Sequence, residues 1–239
     1  MNKQQSGFTL VEIAIVLVII GLLLGGVLKG QELINSAKVK NMAGDFRTIS
    51  SLVYGYQDRF RSFPGDQSQT QLDLAFGTGV AAACTPAAAG LCAQNNGRID
   101  GNWNDGAATG AGTLTSEASL FWQHVRLANL AAGATVITDT GYRPRNADGG
   151  FIGIETGISA AGLAAPYIGT GATAMRGTFF VCSSGVLGRF VRQIDSTMDD
   201  GNTAAGTVQA VPDGSARGTV PTPTANIADN VAYTVCVGY

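Results

Sequence analysis

The sequence predicts an α+β fold, in which one long N-terminal helix packs its second half against an antiparallel β-sheet. Three features predict it: an apolar run near the start, an amphipathic helical stripe after it, and short segments of strand-like composition further on. Residues 64–239 are expected to form one globular head domain. Long loops are expected in this head, because the 239-residue chain contains 33 glycines.

The apolar run extends from Phe8 to Leu28 and is long enough to cross a bilayer. Its 21 residues correspond to about 31 Å of helix at ~1.5 Å per residue. A secretory signal peptide has a shorter apolar core and is cut after it. Here the only plausible cut lies before the run, which is therefore retained. Lys3 on the N-terminal side favours a cytoplasmic N-terminus, although Lys29 on the other flank offsets that signal.

One ionisable residue, Glu12, lies inside the apolar run. A carboxylate near the middle of a membrane helix costs roughly 2.5–3.5 kcal/mol on insertion scales. A chain that keeps such a residue needs a partner for it, so Glu12 is a candidate functional residue.

The segment SGFTLVEIAIVLVIIGLLLGG resembles the beginning of a type IV prepilin, a family that includes type IV pilus subunits and type II secretion pseudopilins. Gly7, Phe8, Glu12 and the apolar run to Leu28 carry the resemblance. It covers about residues 1–63. The resemblance implies that a membrane-embedded prepilin peptidase removes the leader (residues 1–7) and methylates the new amine of Phe8. It also implies that Glu12 helps to place each subunit in a helical filament.

Cleavage after Gly7 gives Glu12 its partner. The new ammonium group of Phe8 lies four positions before Glu12, and residues four apart are neighbours on a helix. Glu12 can pair with its own amine or with that of an adjacent subunit, and the second pairing also sets the register between subunits. One departure from the family concerns Lys29, where many pilins carry a proline. This departure is compatible with a pseudopilin or a minor pilin.

The resemblance implies a non-enzymatic subunit of a pilus or a secretion pseudopilus, polymerised with itself or with other pilins. Its expected partners are the prepilin peptidase, an inner-membrane assembly platform and, before assembly, membrane lipid. We expect a single pass through the bacterial inner membrane with the head outside the cytoplasm, followed by a periplasmic or extracellular filament. The net charge of −2 indicates no nucleic-acid partner. The alternative is a membrane-anchored periplasmic binding, enzymatic or calcium-dependent adhesive domain that does not polymerise.

After the membrane run (residues 8–28), residues 29–63 are expected to continue the helix with one apolar face. Apolar residues recur at alternating spacings of three and four, the period of a helix. Pro64 disfavours helix at the residue before it and so ends the element. The predicted stripe consists of Val39, Met42, Phe46, Ile49, Val53, Tyr56, Phe60 and Phe63.

The head is predicted to contain two short helices and four or five strands. Residues 116–130 read as a helix with Ser116 as N-cap and Glu117 in the first turn, and His124 within it is expected to be structural. Apolar spacing predicts a second helix over 186–194. Segments rich in Val, Ile, Phe, Tyr and Thr are predicted to form strands near 134–138, 151–155, 177–183, 207–211 and 231–237.

The four cysteines are expected to form disulfides, because an even number outside the membrane is typical of an oxidising compartment. Three pairings exist, and we favour Cys84–Cys92 and Cys182–Cys236. The first closes a short loop and the second joins two strand-like segments. A zinc site is not favoured, since the sequence has no C-x-x-C spacing and a single histidine.

Calcium is the one metal that the sequence suggests. Asp195, Asp199, Asp200 and Asn202 form an acidic turn that resembles turns in the heads of some pseudopilins, where calcium can bind. The alternative is a solvated helix C-terminus. A second segment, NNGRIDGNWNDG, matches the first three ligand positions of an EF-hand loop, but Asp105 replaces its glycine and Ala111 its closing glutamate. An EF-hand is therefore rejected, and an irregular calcium site or a plain turn remains.

Overall fold

The computed structural model describes residues 9–85, 92–106, 109–157 and 166–239. These residues form the expected α+β, pilin-like architecture, with one long N-terminal helix, three shorter α-helices and a four-stranded antiparallel sheet. The chain divides into two compact units: Lys38 ends the first and Val39 begins the second.

The first helix, α1, spans Leu10–Phe60 and contributes to both units. In the second unit one face of α1 is buried, at the helical spacing that the sequence predicts. The helix ends where Arg61 adopts a positive φ of 55°, shortly before Pro64. The buried residues of α1 are Val39, Met42, Ala43, Phe46, Ile49, Ser50, Val53 and Tyr56.

The sheet is formed by β1 (Ile152–Glu155), β2 (Phe180–Leu187), β3 (Val208–Pro212) and β4 (Ala232–Gly238). The strand order is β1-β2-β4-β3, and every neighbouring pair is antiparallel. The β2–β4 register shifts between Ser183 and Val186. Gly185 lies in this shift with a φ of 68°, a left-handed conformation that favours glycine in a bulge.

Three short helices accompany the sheet: α2 (Gln69–Phe76), α3 (Glu117–Leu127) and α4 (Gly188–Met198). The helices α3 and α4 overlap the two predicted ones, although α4 begins later because Val186 and Leu187 belong to β2. The helix α2 was not predicted. A capping box begins it, in which the side chain of Gln71 accepts the Ser68 N–H at 2.9 Å.

The predicted strand over 134–138 is wrong. These residues have strand-like composition, but they lie in no strand. Their carbonyl groups are used by other partners: the Ala134 carbonyl accepts from the Arg126 guanidinium at 2.7 Å and the Thr135 carbonyl from the Gln123 amide at 3.0 Å. A β-ladder therefore cannot form there. The other four predicted segments each overlap one observed strand.

The sheet has apolar residues packed on both faces. The main core lies between one face and the second part of α1, together with residues of α3 and α4. A smaller cluster contains the alternating residues of β2 and β4, because successive side chains of a strand point to opposite faces. This smaller cluster consists of Trp103, Tyr167, Ile168, Met175, Phe180, Cys182, Val211 and Cys236.

Candidate functional site: the N-terminal helix and two acidic clusters

The predicted cleavage and methylation site, Gly7–Phe8, lies outside the described residues. The described chain begins at Thr9, directly after Phe8, and α1 begins at Leu10. A cut at the predicted position would therefore leave the new amine one residue before the N-cap of the helix.

Glu12 and Thr9 form a reciprocal capping box at the start of α1. Glu12 Oε2 accepts hydrogen bonds from the backbone N–H and the hydroxyl of Thr9, both at 2.8 Å. The Glu12 N–H donates in turn to Thr9 Oγ1 at 3.3 Å. This arrangement satisfies N–H groups that a helix start leaves without partners. The Thr-x-x-Glu spacing is its sequence signature, although no capping box was predicted here.

The first part of α1 exposes a continuous apolar surface. From Leu10 to Leu28 its large hydrophobic side chains are between 46% and 91% exposed. Within the described residues, α1 is the one helix long and apolar enough to cross a membrane. No residue of its most apolar 18-residue window is buried. Such a surface needs lipid or other apolar helices around it.

Both favoured disulfide pairings are the ones that the structure contains, Cys84–Cys92 and Cys182–Cys236. The second joins the two central strands, where Cys182 and Cys236 are direct partners in the β2–β4 register. Glu117 lies beside the first, since one of its carboxylate oxygens is within 4.8 Å of both sulfur atoms.

The structure brings Asp195, Asp199 and Asp200 together at the end of α4. One carboxylate oxygen of each lies within 4.8 Å of the others. Asp195 is fully buried, and neither of its carboxylate oxygens has a hydrogen-bond partner among the described residues. Asp199 fastens the following loop, because its Oδ2 accepts the N–H groups of Thr207 at 2.5 Å and Val208 at 3.0 Å. The predicted fourth ligand, Asn202, uses its Oδ1 to accept the Ala204 N–H at 3.3 Å.

The three aspartates differ in pKa. Burial, followed by the charges of Asp199 and Asp200, raises the pKa of Asp195 to about 6. Burial also acts to raise the pKa of Asp199, but the N–H groups of Val208 and Thr207 more than offset it, and the net shift is downward. Two orphaned oxygens on a buried carboxylate, beside two further carboxylates, fit a hard divalent cation that takes oxygen ligands.

A second acidic cluster lies at the start of α3, and it was not predicted from the sequence. Asp66, Asp100 and Glu117 are each at most 2% exposed. The Asp100 N–H donates to Glu117 Oε2 at 2.9 Å. Burial raises the pKa of Glu117 to about 8; the hydrogen bond from the Asp100 N–H opposes this shift, and the charges of Asp100 and Asp66 add to it. Glu117 reads in the sequence as an ordinary first-turn residue, so no sequence signal reveals its burial.

His124 is structural, as expected. Both ring nitrogens are engaged: the Gly65 N–H donates to Nδ1 at 2.9 Å, and Nε2 lies 2.9 Å from the Ala82 carbonyl. The contact requires glycine at position 65, where φ is 100° and a Cβ atom would lie 2.5 Å from the Glu117 carbonyl oxygen. The ring therefore joins α3 to two loops and has no nitrogen left for proton transfer.

Comparison with known proteins gives one match. Residues 2–28 match the family model described as the prokaryotic N-terminal methylation motif. No curated protein and no solved structure shows a significant match to this chain. The matched residues contain Gly7, Phe8, Glu12 and the apolar run, so the chain carries the prepilin-type cleavage and methylation motif of type IV pilins and pseudopilins.

Proposed function

We propose that this chain is a structural, non-enzymatic subunit of a type IV filament, either a pilus or a secretion pseudopilus. The match of residues 2–28 to the methylation motif carries the proposal. In this account prepilin peptidase cuts after Gly7, and the single-pass subunit stays in the inner membrane through α1 until it assembles. The exposed apolar surface from Leu10 to Leu28 supports the proposal, because lipid can cover it before assembly and neighbouring helices can cover it afterwards.

The capping box sharpens the proposed role of Glu12. Glu12 Oε2 is bound by Thr9, whereas Oε1 accepts no hydrogen bond from any residue that the structure describes. We propose that this free oxygen receives the methylated amine of Phe8 from an adjacent subunit. The capping contact and the assembly contact then use different oxygens of one carboxylate, so the helix start need not open when subunits join.

The two contacts can be separated by substitution. Glu12→Gln keeps a capping-box side chain but removes the charge, and Thr9→Ala keeps the charge but removes the capping hydroxyl. We expect Glu12→Gln to insert into the membrane and to be largely absent from sheared filaments. Thr9→Ala should enter filaments close to the wild-type level. The measurement is the ratio of tagged subunit in filament and membrane fractions of cells that also express wild type.

Equal incorporation of both variants would contradict the proposed charge contact. Absence of the wild-type chain itself from every filament fraction, together with normal processing, would favour the alternative of an anchored domain that does not polymerise.

We further propose that the cluster of Asp195, Asp199 and Asp200 binds a calcium ion. The two orphaned oxygens of Asp195 support this proposal, and Asp199 already fastens the 199–208 loop. The ion supplies a positive charge that replaces the missing partners of Asp195. The bound loop is expected to be more rigid.

Calcium is expected to raise the melting temperature of the protein, since a ligand at 100 times its dissociation constant stabilises by about 2.7 kcal/mol. Asp195→Asn should reduce that shift, because it removes a charge from the cluster. Asp58→Asn, on the polar side of α1, is the matched control and should keep the full shift. An equal calcium shift in Asp195→Asn and wild type would eliminate this site.

A further inference from the structure

We propose that Asp100 and Glu117, with the hydroxyl of Ser116, bind a calcium ion inside the head, separate from the cluster at Asp195. The three residues lie where the loop before α3 meets the first turn of that helix. Nothing in the match to residues 2–28 concerns this part of the chain.

The proposed site contains three buried side-chain oxygens without hydrogen-bond partners among the described residues. Asp100 Oδ1, Glu117 Oε1 and Ser116 Oγ are buried, and none has a hydrogen-bond partner in the described parts of the chain. The three residues are at most 1% exposed. A buried carboxylate oxygen without a partner is strongly disfavoured. Three such oxygens, where one loop meets the first turn of α3, point to a group that the protein chain alone does not provide.

Asp100 and the first turn of α3 are joined by two hydrogen bonds. The Asp100 N–H donates to Glu117 Oε2 at 2.9 Å, and the Ala118 N–H donates to the Asp100 carbonyl at 2.9 Å. These contacts hold Asp100 next to Glu117.

Ser116 lies at the start of α3 but does not cap the helix with its side chain. It is the N-cap residue of α3, yet its side chain makes no capping hydrogen bond. A serine at this position ordinarily caps the helix. Here Gly101 packs directly on the hydroxyl, and a Cβ atom at Gly101 would lie 2.1 Å from Ser116 Oγ. The hydroxyl is therefore held against Gly101, next in the chain to Asp100, and is available as a neutral ligand.

The chemistry of these groups favours calcium over other divalent ions. All three are hard oxygen ligands, and two are carboxyl groups, whose ionised forms together match the charge of one divalent cation. Calcium accepts irregular geometry, whereas magnesium demands near-ideal octahedral geometry. The sulfur atoms beside Glu117 are joined in the Cys84–Cys92 disulfide and are not thiolate ligands for a softer metal.

A pocket lies beside Asp66, the third residue of this acidic cluster. A pocket of about 320 Å³ is lined by Asp66, Asn95 and Gly97 together with residues at the end of α1. Both carboxylate oxygens of Asp66 are used, by the N–H groups of Asn96 and Gly97 at 3.0 and 2.9 Å. Asp66 thus adds negative potential at this pocket, and the side chain of Asn96 donates to Asp100 Oδ2 at 2.8 Å, which links the same turn to the proposed site.

The test is calcium titration calorimetry on the full chain in detergent, with calcium chloride alone as the ligand. The background is Asp195→Asn, so that the other proposed site does not contribute. In this background we expect one calcium ion per chain, and adding Glu117→Gln should abolish the binding. Adding Glu32→Gln, on the exposed surface of α1, is the matched control and should leave one ion bound. Asp100→Asn is a second variant of the site and should also abolish binding.

A fold check accompanies each variant, by near-ultraviolet circular dichroism in EDTA. The inference is overturned if Asp195→Asn binds no calcium, or if calcium still binds after Glu117→Gln or Asp100→Asn is added. Binding that survives Asp195→Asn and disappears with Glu117→Gln supports the internal site whether or not the Asp195 cluster binds calcium.

Discussion

At the residue scale, the proposed roles of Glu12 and Glu117 depend on which hydrogen-bond partners their carboxylates have. Glu12 reads in the sequence as an unpaired carboxylate in an apolar run, and the structure adds a local partner, Thr9. The pattern of Thr9 and Glu12 was visible in the sequence as a capping box. Glu117 shows the opposite case, because its burial depends on the loop around Asp100 packing over it. Contacts between residues distant in the chain cannot be derived from local pattern.

His124 gives a prediction about pH. Burial lowers the pKa of His124 to about 4, against a smaller opposing effect of the hydrogen bond to Ala82. The unfolded chain has the ordinary value near 6.5, so it takes up a proton first as the pH falls. The neutral ring therefore contributes stability above about pH 6.5, which is lost as the pH falls toward 4. A difference of this size corresponds to roughly 3 kcal/mol.

Urea unfolding of the detergent-solubilised chain between pH 7 and pH 4 checks this expectation. His124→Gln should be less stable than wild type at pH 7 and should lose less stability on acidification. Groups with a raised pKa, such as Glu117 and Asp195, act in the opposite direction but are common to both proteins. Parallel pH profiles for wild type and His124→Gln would contradict the assignment.

At the scale of elements, periodicity was a reliable guide where it was long. The stripe on α1 extends over many turns, and Val39, Phe46 and Val53 are buried as it predicts. Short segments were less reliable. Residues 134–138 have strand composition, but Arg126 and Gln123 donate hydrogen bonds to the carbonyl groups of Ala134 and Thr135. The choice between strand and loop there depends on side chains from α3, which the segment itself does not encode.

One buried ion pair connects three elements of the head. Arg217 donates to both carboxylate oxygens of Glu155, at 2.8 and 2.5 Å, and to Asn102 at 3.0 Å. Glu155 ends β1 and is fully buried. Its Oε2 also accepts the Trp103 N–H at 3.0 Å. The pair therefore ties the loop around Asn102 and the loop that carries Arg217 to the edge of the sheet.

Arg217→Met is expected to destabilise the head by about 3–5 kcal/mol, because it leaves the buried carboxylate of Glu155 without its charge partner. The double variant Glu155→Gln with Arg217→Met should be less destabilised than Arg217→Met alone, since no unpaired charge remains. Chemical unfolding of the three proteins gives the comparison. If the free energy of unfolding of Arg217→Met lies within about 1 kcal/mol of the wild-type value, the pair contributes no more than a surface ion pair. That result would contradict a structural role for the pair.

At the scale of the whole molecule, the two units have different requirements. The unit that begins at Val39 has its own apolar core and contains both disulfides. The first part of α1 has no buried residue in its most apolar window. The sequence divides the chain elsewhere, after residues 28 and 63, because a membrane-length apolar run and a helical stripe are its long, periodic signals. The acidic cluster at Asp195 was also anticipated, whereas the internal cluster at Glu117 depends on tertiary packing.

The central claim is that the chain is a prepilin substrate whose leader ends at Gly7. Intact-mass measurement of the protein, purified from otherwise identical hosts with and without prepilin peptidase, tests it most directly. With the peptidase, we predict a mass that lacks residues 1–7 and carries one added methyl group on Phe8. Without the peptidase, the mass should still include residues 1–7 and lack the added methyl group. An unprocessed N-terminus in both hosts would contradict the account.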